Sequence, residues 1–189
     1  SCLEELPEKL TELRANNSIA VSELKRFLKE GDSAFWDELG KRTASASMLS
    51  EVLSLSNLRK KAANAGLNGR AAQKPPTRIA LVGGSTLYPL SELIEHTLSL
   101  TLGDVELYCG EFNNYRAEIL EESSPLYGFK PDYLLFIPDT RTCKYSGRLN
   151  DPPEMVEAEV DRISSETLDL CSAFRARRSA EVILCNFIL

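Results

Sequence analysis

Arg78-Ile-Ala-Leu-Val-Gly-Gly-Ser-Thr-Leu-Tyr-Pro-Leu90 is the stretch that decides the fold. Its apolar run, Ile79–Val82, ends at two glycines, as expected for a strand that is covered on both faces of a parallel sheet. Gly83 and Gly84 predict a tight turn, because a residue without a β-carbon lets the backbone bend sharply. A helix is predicted to begin near Pro89. The turn then lies at the carboxyl end of the strand, the edge at which open α/β sheets bind ligands.

The chain after this stretch repeats the strand-then-helix pattern. Short apolar runs predict strands at Val105–Cys109, Tyr133–Ile137 and Val182–Leu184. Helical spacing predicts helices between them, at Pro89–Leu102, Arg116–Glu121 and Pro152–Arg178. Strands that alternate with helices indicate a doubly wound α/β fold with a mainly parallel sheet of four to five strands. The long third helix is expected to pack one apolar face on the sheet, formed by Val156, Val160, Ile163, Leu170, Cys171 and Phe174.

The first 63 residues have a different pattern. Leucines at helical spacing, a break at Asn16-Asn17 and glycines at positions 31 and 40 predict four short helices, the second starting at Ser18 and the fourth near Ser45. Residues 64–76 are rich in Gly, Ala and Asn and end in two prolines, so they read as a linker. The predicted organisation is a helical region over 1–63, a linker over 64–76 and an α/β domain over 77–189. We expect this α/β domain to be cut from a longer protein.

Composition and charge exclude several classes of protein. Apolar residues make up 43% and charged residues 26% of the 189, which is ordinary for a soluble globular protein. No apolar run approaches the roughly 20 residues of a membrane span, and the N-terminus lacks a signal region. Five scattered cysteines without CxxC spacing argue against a disulfide framework or a zinc site, so we expect a reducing cytoplasm. Residues 77–189 hold 10 Lys and Arg against 18 Asp and Glu, which argues against nucleic-acid binding.

Ser85 is the one candidate nucleophile, because it follows the first strand in a Gly-Gly-Ser-Thr-Leu turn. A serine nucleophile needs a base to accept its proton and a carboxylate to orient that base. The only histidine, His96, lies inside the next predicted helix, about three turns beyond Ser85, and is expected at the surface, away from Ser85. No Asp-x-x-His pair is present. We therefore predict no catalytic residue beyond the candidate Ser85, and no metal site.

Polar side chains follow each of the first three strands at the same predicted edge of the sheet. The predicted ligand-binding residues are Gly83, Gly84, Ser85, Thr86, Asn113, Asn114, Tyr115, Arg116, Asp139 and Arg141. The turn after the first strand would offer backbone amides as well as hydroxyl groups. A guanidinium binds phosphate through two hydrogen bonds, so Arg116 indicates a phosphate-bearing ligand. The alternative is that Arg116 pairs with Glu118 or Asp139 and only fixes the loop.

Several of these runs resemble one known family. Arg78-Ile-Ala-Leu-Val82 with Thr86-Leu-Tyr-Pro-Leu90, then Phe112-Asn-Asn-Tyr-Arg-Ala-Glu-Ile-Leu120, then Leu126-Tyr-Gly-Phe-Lys-Pro-Asp132 are similar to the N-terminal region of FkbH-like proteins. Val182-Ile-Leu-Cys-Asn-Phe187 fits the same pattern. The resemblance implies an SGNH-hydrolase-like, flavodoxin-like fold. The sequence itself differs from SGNH hydrolases in two ways. It lacks their Asp-His block, and it has Pro138-Asp139 where a Gly-x-Asn-Asp would fall.

The resemblance also implies a pathway. FkbH-like proteins load a glyceryl unit from a phosphoglycerate onto an acyl carrier protein in polyketide biosynthesis, and a C-terminal haloacid-dehalogenase-type domain performs the chemistry. The Asp-x-Asp-x-Thr motif of that domain is absent here, so Mg is expected only there and no cofactor is expected in this domain. The implied role is a non-catalytic docking domain whose partners are the carrier protein or its phosphopantetheine arm and the haloacid-dehalogenase-type domain. The alternatives are an SGNH-type esterase or acyltransferase that uses Ser85, and a purely structural cap.

Overall fold

The structure is a computed structural model that describes residues 21–67, 75–139, 147–148 and 150–185. The predicted first helix, the cap at Ser18 and the site residue Arg141 lie outside the described residues. The contacts group the chain into two units. The helical unit contains residues 1–75 and 92–104, and the α/β unit contains residues 76–91 and 105–189. The domain boundaries drawn from the sequence stay a prediction.

The helical unit is built from amphipathic helices around one apolar core. Residues 21–30 form α1, which ends at Gly31 with a φ of +68°, as predicted. The next helices are α2 (Ala34–Ser45) and α3 (Leu49–Asn64), and most of α4 (Leu90–Thr101) belongs to this unit. The core consists of Leu24, Phe35, Leu39, Leu55, Leu58 and Ala62. Gly40 was expected to end α2, but a glycine inside a helix costs only about 1 kcal/mol relative to alanine, and the burial of Phe35 and Leu39 outweighs it.

The α/β unit contains a four-stranded parallel sheet, which confirms the predicted fold class. Its strands are β1 (Thr77–Gly83), β2 (Val105–Cys109), β3 (Tyr133–Ile137) and β4 (Glu181–Leu184), in the order β2-β1-β3-β4. All three strand pairs are parallel. The helices of the unit are α5 (Tyr115–Leu120), α6 (Pro125–Phe129) and α7 (Pro153–Arg177). The sequence predicted a loop where α6 lies, since five residues are too few to show helical spacing.

Two glycines are needed at the end of β1 because β3 approaches closely there. A β-carbon on Gly83 would lie 2.5 Å from the carbonyl oxygen of Ile137, and one on Gly84 would lie 2.5 Å from the β-carbon of Asp139. Neither glycine has a positive φ. The sequence predicted that a β-carbon would hinder this turn, and the structure supplies the steric reason, which is the close packing of two strand ends.

The long helix packs on the sheet through its C-terminal half only. Leu170, Cys171 and Phe174 are buried in the core of the α/β unit. Val156 and Val160, which were predicted to pack on the sheet, are 41% and 56% exposed. The physical reason is length, because 25 residues of helix span about 37 Å whereas a five-residue strand spans about 17 Å. No helix in the described part of the chain is both long enough and apolar enough to cross a membrane.

Candidate functional site

The carboxyl ends of β1 and β3 are joined by a backbone hydrogen bond. The Gly84 amide donates to the Ile137 carbonyl oxygen at 3.2 Å, and Gly84 lies against Asp139. β1 and β3 are the central strands of the sheet, and the strand order reverses between them, which is where open α/β sheets bind ligands. The amide of Gly84 is therefore used within the sheet, whereas the amides of Ser85 and Thr86 donate to no backbone carbonyl of the described residues.

The carboxyl end of β2 lies beside that of β1. The Gly110 amide donates to the Leu81 carbonyl oxygen at 2.8 Å. A β-carbon on Gly110 would lie 3.2 Å from a methyl group of Val82 and 2.8 Å from a carboxylate oxygen of Glu118. The loops that follow β1, β2 and β3 thus begin side by side at one edge of the sheet, which is where the sequence placed the candidate ligand site.

Glu118 is the residue of this edge that the sequence analysis missed. It was considered only as a partner of Arg116, but its side chain is buried and points back to β2. Its Oε1 accepts a hydrogen bond from the Glu111 amide at 2.7 Å, and its Oε2 accepts one from the Tyr108 hydroxyl at 2.9 Å. Burial, followed by the hydrogen bond to Glu118, raises the pKa of the Tyr108 hydroxyl well above its usual range. The sequence signal that could have identified Glu118 was its position, three residues after Tyr115 at the start of a helix.

The Glu118 carboxylate organises the loop from Gly110 to Asn114. The Asn114 amide donates to the Glu111 carbonyl oxygen at 3.2 Å, and the Glu118 amide donates to the Asn114 carbonyl oxygen at 3.0 Å. Asn113 adopts a left-handed conformation with a φ of 55°, which asparagine tolerates better than most residues. The side chain of Asn114 donates to Glu111 at 3.3 Å and does not cap α5. The loop leaves Phe112 and Asn113 exposed at its tip.

Tyr115 and Arg116, which were both predicted to bind a ligand, have different surroundings. The Tyr115 ring is buried in the core, with its centroid 5.1 Å from that of Phe136. The Arg116 Nε donates to the Tyr115 hydroxyl at 3.4 Å, and its Nη1 forms an ion pair with Glu166 on α7. The predicted alternative partners, Glu118 and Asp139, were therefore wrong. Arg116 does link elements of the fold, and half of its side chain stays exposed.

Ser85 is half-buried and Thr86 is exposed, and neither hydroxyl forms a hydrogen bond within the described residues. His96 was expected at the surface, but it is fully buried in the helical unit. The Thr43 hydroxyl lies 2.9 Å from His96 Nε2 and donates to the Leu39 carbonyl oxygen, so Nε2 must carry the proton in that contact. Burial, followed by the nearby Arg59 guanidinium, lowers the pKa of His96 from 6.5 to about 4. The described residues therefore do not assemble a serine–histidine pair at the sheet edge.

The described residues were also compared with the requirements of a metal site and of a ligand cavity. No group of three or more His, Cys, Asp or Glu side chains suited to a metal ion exists within the described ranges. A cavity of ≈ 400 Å³ in the α/β unit is lined by residues that include Asp132, Tyr133 and Arg175, at the amino edge of the sheet. A second, of ≈ 380 Å³, lies in the helical unit. Neither cavity is lined by a predicted ligand residue.

Comparison with known proteins supports the fold. No family model and no curated protein matches the chain. Among solved structures, the chain is similar to the crystal structure of the N-terminal part of protein BF1531 from Bacteroides fragilis, which contains a phosphatase domain and is complexed with Mg. The TM-score is 0.56 at 18% sequence identity. The match covers 76% of this chain and 34% of the other, so the chain spans about a third of the length of that structure. At this identity the similarity establishes the α/β fold.

Proposed function

We propose that this chain is the non-catalytic binding domain of a longer FkbH-like enzyme that loads a glyceryl unit from a phosphoglycerate onto an acyl carrier protein. In this role the carboxyl edge of the sheet receives the phosphopantetheine arm of the carrier protein. A haloacid-dehalogenase-type domain of the same enzyme performs the chemistry. The proposal starts from the resemblance of the sequence runs to FkbH-like proteins, and the similarity of fold to a structure that contains a phosphatase domain is consistent with it.

The observation that carries a binding role is the loop from Gly110 to Asn114. A buried carboxylate, Glu118, holds this loop through hydrogen bonds to Glu111 and Tyr108. Rigid support of this kind reduces the entropy that a loop loses when it binds a ligand. The loop offers an exposed aromatic ring, Phe112, beside an exposed amide, Asn113. An apolar surface with a few fixed polar groups suits a ligand that combines a hydrocarbon or amide chain with polar ends.

The esterase alternative has less support from the geometry. A serine hydroxyl becomes a nucleophile when a base accepts its proton at hydrogen-bonding distance. No described side chain bonds to the Ser85 hydroxyl, and the single histidine of the chain is enclosed in the helical unit. We therefore assign Ser85 to ligand contact.

The similarity to a Mg-containing structure does not assign a metal to this chain. A magnesium site uses carboxylate and carbonyl oxygens from several residues. The described residues offer no group of three or more His, Cys, Asp or Glu side chains suited to a metal ion. We derive no step through Mg and place it, in this proposal, in the haloacid-dehalogenase-type domain.

The structural-cap alternative is favoured by one observation, the ion pair between Arg116 and Glu166. If that pair only ties α5 to α7, then the arginine has no ligand to bind. If the arginine binds phosphate, Glu166 competes with the ligand for the same guanidinium. Removing the arginine and removing its partner should therefore have opposite effects on affinity.

Calorimetric titration of the chain with a carrier protein that bears the phosphopantetheine arm tests whether Arg116 binds the phosphate of that arm. The carrier protein without the arm is the control ligand. We expect Arg116→Ala to weaken binding by roughly ten- to a hundredfold, the cost of a lost hydrogen bond to a charged group. Glu166→Gln should preserve or raise the affinity, because it frees the guanidinium. Arg162→Ala is the matched control, since Arg162 also contacts Glu166 but lies on α7.

Two results would refute the binding role. One is equal affinity for the carrier protein with and without its arm. The other is unchanged affinity in Arg116→Ala and Glu166→Gln together with a lowered melting temperature in both, which is the behaviour of a structural cap.

A further inference from the structure

The N-terminal half of α7 projects beyond the carboxyl edge of the sheet. α7 follows β3 and leads into β4, and β3 and β4 are parallel, so α7 begins at the carboxyl edge and returns to the amino edge. The ion pair between Glu166 and Arg116, the second residue of α5, marks where α7 passes the start of that helix. We call residues 153–165 the projecting segment. From 153 to 162 it contains no buried residue.

The projecting segment continues the apolar stripe that holds α7 on the sheet. Residues spaced three or four apart in a helix share a face, and Val156, Val160 and Ile163 lead by that spacing to Leu170 and Phe174. The C-terminal part of the stripe is buried in the core of the α/β unit. In the N-terminal part, Val156 and Val160 are exposed, and Met155 beside them is also exposed. A helix of a globular protein ordinarily buries such a stripe against another element.

The charges around the exposed stripe indicate what covers it. The projecting segment contains four acidic residues and one basic residue, namely Glu154, Glu157, Glu159, Asp161 and Arg162. Glu159 is bonded to Arg162 at 2.8 Å. Glu154, Glu157 and Asp161 form no ion pair within the described residues. Two copies of this surface would bring like charges together, which disfavours self-association, whereas a basic surface would complement it.

We infer that the projecting segment is a docking site for an amphipathic, basic helix of a partner protein. Leucine- or isoleucine-type side chains of that helix would cover Val156 and Val160. Its flanking lysines and arginines would face Glu154, Glu157 and Asp161. Helix-on-helix packing through such a stripe is a common form of recognition, in which residues at helical spacing act as anchors. This segment shares no residue with the loops of the proposed arm-binding edge, so its variants test it apart from that assignment.

Fluorescence anisotropy with a labelled peptide of leucine and lysine, about 18 residues long with leucines at helical spacing, tests the inference. A peptide of the same composition with its leucines out of helical spacing is one control, and a peptide with glutamate in place of lysine is another. We expect only the first peptide to bind, more weakly as salt is raised from about 0.05 to 0.5 M. Val156→Ser combined with Val160→Ser should weaken its binding at least about tenfold.

Leu168→Ser is the matched control variant, because Leu168 is an exposed apolar residue on a different face of α7. It should leave the affinity of the leucine–lysine peptide unchanged. Circular dichroism confirms that each variant folds, and all three positions are exposed. The inference is overturned if the valine variant binds the peptide as well as wild type, or if the glutamate peptide binds equally well. It is also overturned if sedimentation shows a dimer that Val160→Ser abolishes, since the stripe is then covered by a second copy.

Discussion

Glu118 stabilises the loop after β2 because a buried carboxylate needs donors in place of water. It receives one hydrogen bond from the Glu111 amide and one from the Tyr108 hydroxyl. Glu118→Ala removes the acceptor and leaves both donors unsatisfied, so we expect it to lower the free energy of unfolding by about 1.5–3 kcal/mol. Urea denaturation measures this. Glu121→Ala, at an exposed glutamate just after α5, should change it little. Equal effects of the two substitutions would show that the buried hydrogen bonds do not stabilise the fold.

Gly84 is required by the approach of β3 to β1. A β-carbon there would overlap with Asp139, and a shift of the strand ends to relieve the overlap costs about 1–3 kcal/mol, as overpacking does. We expect Gly84→Ala to lower the denaturant midpoint accordingly. Gly128→Ala is the control, because apart from its chain neighbours and its own helix backbone no atom lies within 4 Å of its added β-carbon. An unchanged midpoint in Gly84→Ala would mean that the two strand ends separate without cost.

At the scale of elements, α7 combines a packed half and a projecting half. Phe174 is fully buried against the α/β core, with its ring centroid 5.8 Å from that of Tyr127. Phe174→Ala should lower the free energy of unfolding by about 3–5 kcal/mol, as large-to-small core changes do. Val160→Ala on the same stripe should change it by less than about 0.5 kcal/mol, because the side chain is already exposed. Denaturant titration of both variants measures how much each half of α7 contributes to the free energy of unfolding. A large effect at Val160 would contradict the exposure of the projecting segment.

The elements that the sequence predicted best are those with a local signal. The bounds of β2 and β3 agree with the prediction, because short apolar runs between turn residues define a buried strand. Helical spacing correctly assigned Val156 and Phe174 to one face of α7. It could not tell which part of that face is covered, because covering depends on where the neighbouring strands end. The same limit applies to the burial of His96. The pattern of its own helix did not predict that burial, which results from Thr43 and the packing of the helical unit.

At the scale of the whole molecule, the sequence predicted a candidate site at one edge of the sheet, but it did not predict the side chain that supports the loop there. The glycine turn and the polar residues after β2 and β3 are visible in the sequence, and parallel strands bring their ends together. Glu118 was missed because a glutamate on a short helix ordinarily faces water. An acidic partner for Arg116 was predicted correctly, but the residue was wrong, since Glu166 on α7 lies 50 residues further along the chain. The grouping of residues 92–104 with the N-terminal helices likewise depends on long-range contacts.

The single histidine of the chain gives the stability of the helical unit a defined dependence on pH. His96 has a pKa of about 4 in the folded unit against 6.5 for the unfolded chain. Between these values the unfolded chain binds a proton that the folded unit does not, so stability is complete above about pH 6.5 and falls as the pH drops toward 4. A pKa difference of this size corresponds to a loss on the order of 3 kcal/mol.

Denaturant titration of wild type and His96→Gln between pH 4 and 7 isolates this contribution from that of the carboxylates. Glutamine keeps a side-chain N–H that can donate to Thr43 but does not titrate in this range, so the variant should lose the part of the slope between pH 6.5 and 4 that His96 contributes. Thr43→Val removes the hydroxyl and keeps the histidine, so it should lower stability while the slope remains. If His96→Gln kept the wild-type slope, the carboxylates would account for the pH dependence. His96 would then take up its proton at similar pH in the folded and the unfolded chain, and the burial of its ring would not lower its pKa.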